Sequence, residues 1–390
     1  MVKNSQTGVK KLLLLNYEYP PLGGGGGVAA KKLAEAFVKG GWQVDVVTTC
    51  FKGLKKEEYT NGVSIYRVPV LCRKNKENAS LLSLLAFPIC AYRKTVKLCK
   101  QNSYLFINTH FAVPTGSLGV WISRKFEIPN ILSLHGGDIY DPTKRFSPHR
   151  WWVLRAYIKY ILEHSDYVIA QSRNTKENAQ KYYRSQKEIR IIPLPYEEIV
   201  FETATRIELG MNESDIYLIS VGRLVKRKGY DYLLQALAQL DRADLKLIIL
   251  GEGPERGELQ KIVQEKKLEN RVIMPGAVSE NKKFQYLSCA DMYVLSSVHE
   301  GFGIVLQEAM QVGLPIVSTN QGGQLDIVTE NENGVLVMPC SASALAEGIS
   351  RLLGERRLMN KMRKNNLQKI KEFRADAVAA SYIACVEESE

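Results

Sequence analysis

Tyr217-Leu-Ile-Ser-Val221 runs directly into Gly222-Arg223-Leu224-Val225-Lys226-Arg227-Lys228-Gly229, and then into a helical pattern over Tyr230–Leu240. A short apolar strand, a turn rich in glycine and cations, and a helix form one unit of a parallel α/β sheet. The same rhythm continues in both directions. Downstream, strand-like runs fall at Lys246–Leu250, Val272–Met274, Met292–Leu295, Pro315–Ser318 and Val335–Val337, with helical patterns at Glu258–Lys267 and Gly303–Gln311. Upstream they fall at Lys11–Leu15, Val44–Thr48, Val63–Val68, Leu105–Asn108, Ile131–Leu134, Tyr167–Ala170 and Ile189–Ile192, with a helix over Val28–Lys39. Near-continuous apolar strands alternating with helices read as parallel sheets covered on both faces.

So many strands exceed one sheet, and the rhythm breaks at Ile192-Pro193-Leu194-Pro195-Tyr196. The fold class expected is therefore α/β, with two Rossmann-like doubly wound domains facing across a cleft. The expected domains are residues 1–195, residues 196–375, and a C-terminal helix over 376–390 packing back toward the first. Ligands of such sheets bind beyond the C-terminal ends of the strands, so chemistry is sought just after strands.

Composition narrows the class. The chain has 390 residues, 45% hydrophobic and 24% charged, which excludes collagenous, coiled-coil and disordered chains. Seven scattered cysteines with no Cys-x-x-Cys pair argue against a disulfide framework or thiolate zinc site, and for a reducing compartment. The four leucines near the N-terminus are too few for a signal-peptide core, and Leu81–Tyr92, interrupted by Pro88, falls well short of the roughly 20 residues that span a bilayer. A cytoplasmic protein is expected. Its net charge of +12 is uneven: residues 1–195 hold 30 Lys and Arg against 13 Asp and Glu, whereas residues 196–390 hold 23 against 28. The basic half should face something anionic. Its cations cluster with apolar groups: Arg73-Lys74-Asn75-Lys76, Leu81–Phe87 and Arg93-Lys94, then Lys144-Arg145, Arg150-Trp151-Trp152 and Arg155. Such interleaving fits an inner-membrane surface met peripherally. No nucleic-acid recognition module is present.

Several motifs stand where chemistry is expected. Gly23–Gly27 follows the first strand and precedes the first helix, where glycines admit close approach of a ligand to backbone. No carboxylate ends the second strand, Thr48-Thr49-Cys50, which disfavours a dehydrogenase. Arg223 and Lys228 place cations at a strand end, suited to a diphosphate. Gly251-Glu252-Gly253-Pro254 ends the next strand. In His299-Glu300-Gly-Phe-Gly-Ile-Val-Leu-Gln-Glu308, Glu300 lies in a glycine loop and Glu308 inside a half-buried helix. Paired carboxylates there would hold sugar hydroxyls or act as acid and base. His135 ends a strand before Gly136-Gly137-Asp138, and His110 also follows a strand. There is no Asp-x-Asp and no clustered Cys/His, so no metal site is expected.

Taken in order, these motifs resemble those of the retaining family 4 glycosyltransferases, which have the GT-B fold and a glycogen-synthase-like C-terminal domain. The carrying residues are Pro20-Pro21 with the glycine loop, Leu134-His135-Gly136, Gly222-Arg223 with Lys228-Gly229, Gly251–Pro254, Gly276, and Glu300 to Glu308 followed by Gly313-Leu314-Pro315 and Gly322-Gly323. The resemblance implies catalytic roles for His135, Arg223, Lys228 and Glu300: the cations on the leaving diphosphate, Glu300 on donor-sugar hydroxyls, His135 near the reacting carbon. It implies donor contacts from Gly24, Gly25, Gly26, Gly253, Gly276, Gly301, Phe302, Gly303 and Ile304, and ribose contacts from Glu308. The linker departs from the family pattern, with Pro193-Leu194-Pro195-Tyr196-Glu197 where Pro-Asn-Gly-Val-Asp is common.

The function implied is transfer of a sugar, with retention and without a metal cofactor, from a nucleotide sugar (UDP before GDP) to a lipid-linked or anionic glycan acceptor in cell-surface glycan synthesis. An epimerase or phosphorylase on the same fold, and a non-catalytic nucleotide-sugar-binding subunit, are the alternatives.

Overall fold

The computed structural model describes residues 9–70, 81–144 and 146–388, with the side chains of Leu81 and Leu82 left aside. The basic run Arg73–Lys76 and Arg145 lie outside the described residues.

The chain divides into two compact units, one formed by Met1–Glu197 with Phe373–Glu390 and the other by Glu198–Glu372. The first unit contains β1 (Lys11–Leu15), α1 (Gly25–Lys39), β2 (Gln43–Thr49), β3 (Glu57–Thr60), β4 (Val63–Val68), α2 (Leu81–Gln101), β5 (Phe106–His110), α3 (Gly116–Phe126), β6 (Asn130–Leu134), α4 (Trp152–His164), β7 (Tyr167–Ala170), α5 (Arg173–Tyr183) and β8 (Ile189–Ile191). Its sheet runs β3-β4-β2-β1-β5-β6-β7-β8, parallel except for β3. Successive side chains of a strand point to opposite faces, and β1 shows why four leucines in a row fit here. Leu12 and Leu14 enter the core under α1, while Leu13 and Leu15 enter the core under α2 and α3.

The sequence reading misses β3. Its signal is Asn61-Gly62, both left-handed (φ 52° and 80°), joining two antiparallel strands as a tight hairpin turn does. The first helix also starts earlier than expected, at Gly25 instead of Val28, so Gly25–Gly27 form its first turn. The reason is packing. A Cβ on Gly26 would lie 2.4 Å from the Phe111 ring, and one on Gly27 would lie 3.2 Å from the Glu18 and Leu22 carbonyls.

The second unit contains β9 (Ile216–Val221), α6 (Tyr230–Gln239), β10 (Leu245–Leu250), α7 (Arg256–Glu265), β11 (Val272–Gly276), α8 (Glu280–Cys289), β12 (Met292–Leu295), α9 (Ile304–Gln311), β13 (Ile316–Thr319), β14 (Gly334–Val337), α10 (Ala342–Gly354) and α11 (Arg356–Lys369). Its parallel strands are ordered β11-β10-β9-β12-β13-β14. The order reverses between β9 and β12, which makes the ends of those two strands the topological switch point. In the first unit the reversal falls between β1 and β5.

After α11 the chain re-enters the first unit. Tyr196 N–H donates to the Phe373 carbonyl (2.7 Å) and Ala375 N–H to the Tyr196 carbonyl (2.9 Å). The last helix, α12 (Ala375–Glu387), then inserts Val378, Ala379, Tyr382 and Cys385 into the core shared with α1. Among the described residues no helix is long and apolar enough to cross a membrane.

Candidate active site

In the second unit the candidate residues meet at the switch point. The turn after β9 and the loop after β12 are stitched together by Val298 N–H to the Arg227 carbonyl (2.8 Å) and Ser296 Oγ–H to the Lys228 carbonyl (2.9 Å). Gly229 is required there, because a Cβ would stand 2.3 Å from the Ser296 carbonyl oxygen. This register brings Lys228 Nζ to 2.6 Å from Glu300 Oε1, with both residues buried. Ser297 Oγ–H donates to the same oxygen at 2.7 Å. Burial would raise the Glu300 pKa. The charges of Lys228 and Arg227, with the hydrogen bonds from Lys228 and Ser297, outweigh that and hold it at about 2. Arg223 lies exposed on the same turn.

Gly301, Phe302 and Gly303 continue from Glu300 to the start of α9. Gly303 is left-handed (φ 108°), and the Phe302 side chain is core, so only its backbone faces outward chemistry. The loop is braced by the turn after β13: Gly323 N–H donates to the Glu300 carbonyl at 2.8 Å. One turn into α9, beyond Ile304, stands Glu308. Its Oε1 accepts from Lys283 Nζ of α8 at 2.7 Å, while its Oε2 is buried with no hydrogen-bond partner among the described residues. A buried carboxylate oxygen without a donor is costly, and hydroxyl donors of a ligand would relieve it. Gly253 and Gly276 close the edge of this unit. Gly251 N–H donates to the Gly276 carbonyl (2.9 Å), and a Cβ on Gly253 would meet the Leu224 carbonyl oxygen at 2.2 Å.

In the first unit, the glycine loop follows β1, His110 ends the adjacent β5, and His135 follows β6. Gly24 and Gly25 are exposed, but the Glu18 carboxylate already accepts from Gly24 N–H at 3.0 Å. His135 packs on Phe111 (ring centroids 4.3 Å apart) and bonds His110 at 2.8 Å. Burial lowers its pKa to about 3 and keeps it neutral. Next to it, Asp138 accepts from His135 N–H (3.0 Å) and Ala112 N–H (2.7 Å), and burial lifts its carboxyl to about 6.

Sequence reasoning missed Glu18, Phe111, Lys283 and Ser297. The Lys283 contact joins two helices and leaves no local signal. Ser297 lies three residues before Glu300 and carries one, because a hydroxyl beside a buried carboxylate in a loop is a natural donor. Among the described residues no group of three or more His, Cys, Asp or Glu is placed to hold a metal ion.

This geometry accords with the comparisons. Residues 23–197 match the family described as Glycosyltransferase Family 4, and residues 201–369 match Glycosyl transferases group 1. The chain belongs to the family 4 glycosyltransferases, retaining enzymes of the GT-B fold. An uncharacterized glycosyltransferase of Methanocaldococcus jannaschii is 28% identical, over 88% of this chain and 89% of its own. An N-acetylgalactosaminyltransferase of Campylobacter jejuni, named for a diphospho-undecaprenol acceptor, is 27% identical over 77% of this chain and 81% of its own. Among solved structures, sucrose-phosphate synthase from Thermosynechococcus elongatus has a TM-score of 0.83 at 23% identity, covering 97% of this chain and 98% of that one. Anabaena HepE in complex with UDP has a TM-score of 0.77 at 21% identity, covering 97% and 100%.

The ion pair yields a stability test. The low pKa of Glu300 means that its contribution is present above the ordinary Glu range and is lost as pH falls from about 4.5 toward about 2. Lys228→Met leaves Glu300 buried with only the Arg227 charge and the Ser297 hydrogen bond to oppose its burial, so the loss of stability toward low pH should shrink. Urea unfolding at pH 7 should show a loss of about 3–5 kcal/mol. A loss under about 1 kcal/mol, the size of an exposed pair, would contradict the arrangement.

Proposed function

We propose that this enzyme transfers a sugar from a UDP-sugar to an anionic, lipid-linked acceptor while seated on an anionic membrane surface. The observation that carries the donor half is the convergence at the switch point of a buried Lys228–Glu300 pair, exposed Arg223 and the unpartnered Oε2 of Glu308. Glu308 Oε2 would accept from a ribose hydroxyl, and the turns at Gly253 and Gly276 would line the base. An ammonium carries three protons and Glu300 takes one, so Lys228 would also donate to the diphosphate together with Arg223. Glu300 and the backbone of Gly301–Ile304 would hold the donor sugar. In the first unit, His135 would take a sugar hydroxyl and the Gly24–Gly26 loop a diphosphate or acceptor group. UDP is favoured by the HepE complex, whose fold this chain shares.

Chemically, the bond between the anomeric carbon and the phosphate oxygen breaks, and negative charge develops on that oxygen. Fixed cations stabilise this charge more in the transition state than in the ground state. The acceptor hydroxyl attacks from the same face and gives its proton to the departing phosphate oxygen. A glycoside of unchanged anomeric configuration and UDP result.

The acceptor half rests on a surface of the first unit. Phe146, Trp151, Trp152 and Val153 are exposed, Trp152 by 75%, and Phe146 stacks on Trp151 at 5.7 Å. Exposed Lys144, Arg150 and Arg155 surround them. Amphipathic aromatics ringed by cations suit insertion among anionic head groups. The Leu81–Phe87 stretch is divided differently: Phe87 is core, whereas Leu85 and, one turn on, Ile89 are exposed. The undecaprenol-linked acceptor named for the Campylobacter relative is of the same chemical kind.

Two measurements test the two halves. Arg223→Ala, an exposed position, should fold normally and lower turnover of the donor by about 100-fold or more; wild-type turnover would remove Arg223 from the diphosphate. In liposome sedimentation, binding should rise with anionic lipid, fall with salt, and drop about tenfold or more in Trp152→Ala. Equal partitioning to neutral and anionic vesicles, or none to either, would leave a soluble acceptor.

A further inference from the structure

Beyond the residues already given roles, the first unit contains a chain of side-chain hydrogen bonds that determines which nitrogen of His135 carries its proton. β5 and β6 run parallel, with Asn108 opposite Ile131 and His110 opposite Ser133. Asn108 and His110, two residues apart, share one face of β5. Asn108 Nδ2 donates to the Ile131 carbonyl (3.3 Å) and to Ser133 Oγ (2.9 Å). A backbone carbonyl only accepts, so the amide nitrogen must face it, and Oδ1 is the atom 2.8 Å from His110 Nε2. An oxygen lone pair there requires His110 to be protonated at Nε2.

His110 is 2% exposed and burial lowers its pKa well below the usual histidine value, so it is neutral. Its Nδ1 is therefore a bare lone pair. That lone pair stands 2.8 Å from His135 Nε2, which must then be the donor. His135 is neutral too, so its single ring proton lies on Nε2 and its Nδ1 is an acceptor. That Nδ1 is buried and meets no hydrogen-bond partner among the described residues. The His135 ring is held in place by Phe111 on one side and by its backbone N–H to Asp138.

We propose that Asn108 and His110 are positioning residues that fix His135 in the Nε2–H tautomer, so that its Nδ1 is an obligate acceptor for a sugar hydroxyl. The inference rests on the reading of His135 as a sugar contact, but the tautomer stands apart from it. The consequence is selectivity. An obligate acceptor welcomes a hydroxyl, repels a carboxylate, and is left unpaired by a deoxy position. Sites built to bond a hydroxyl reject analogues that lack it strongly, because the buried partner then goes without.

The test is NMR of the full chain with 15N-labelled histidine. In the ligand-free enzyme, His135 should show a protonated Nε2 and an unprotonated Nδ1; the opposite tautomer, or an even mixture, overturns the relay. In His110→Phe the acceptor for His135 Nε2 is gone, and the tautomers should become mixed, with donor hydrolysis falling about tenfold. Ser133→Ala removes one bond to Asn108 but leaves the Ile131 carbonyl to orient the amide, and should keep both tautomer and rate. A wild-type-like tautomer in His110→Phe would show that His110 does not set it. UDP-glucose, UDP-galactose, UDP-N-acetylglucosamine and GDP-mannose are then added in turn. At least one should shift the His135 Nδ1 resonance. No shift with any of them, in a protein with the assigned tautomer, overturns the sugar contact while leaving the relay intact.

Discussion

The buried pair of Lys228 and Glu300 is the constraint on which the second unit's site depends. Two opposite charges in a low-dielectric surround are tolerable only if each is closely paired and hydrogen-bonded. Here that requirement fixes the turn after β9 against the loop after β12, with Ser297 completing the carboxylate and Gly229 allowing the backbones to touch. The strand order reverses between the same two strands. The ion pair stands at that reversal with its charge already oriented. Such preorganisation is what stabilisation of a developing phosphate anion needs, since nothing has to rotate or desolvate as the bond breaks.

The first unit uses a parallel device made from neutral groups. At its own reversal, between β1 and β5, it places the glycine turn and His110, with His135 just after the neighbouring β6. Burial removes charge from both histidines, and the Asn108 amide removes their tautomeric freedom. One unit thus presents a fixed cation–carboxylate pair and the other a fixed hydrogen-bond acceptor.

The alternating strands and helices were legible in the sequence because parallel sheets buried on both faces need near-continuous apolar runs. Lys11–Leu15 and Ile131–Leu134 are such runs. The edge strand Glu57–Thr60 was not, because it is polar and mostly exposed, and its only signal is the Asn61-Gly62 turn. Of the site, the glycines and the charged residues after strands could be read, because strand ends are where open α/β sheets place ligands. Their pairing could not. Lys283 reaches Glu308 between two helices, Glu18 turns back onto Gly24, and His110 meets His135 across two strands. The first and last depend on how strands and helices are ordered in space, and the second on the path of the loop after β1, none of which spacing along the chain encodes. Sequence alone also allowed Lys228 to be a solvated cation; its burial against Glu300 makes it part of the fold as well as of the site.

The account's central claim is that a nucleotide sugar binds at the β9–β12 reversal with its ribose on Glu308. The most direct measurement is a thermal-shift titration with UDP and UDP-glucose in the wild-type protein and in Glu308→Gln, since a ligand of the native state raises the melting temperature in proportion to the logarithm of its saturation. The account predicts a clear rise in the wild-type protein and a rise shifted to at least tenfold higher ligand concentration in Glu308→Gln. Identical titrations in the two proteins, or no rise in either, would contradict it.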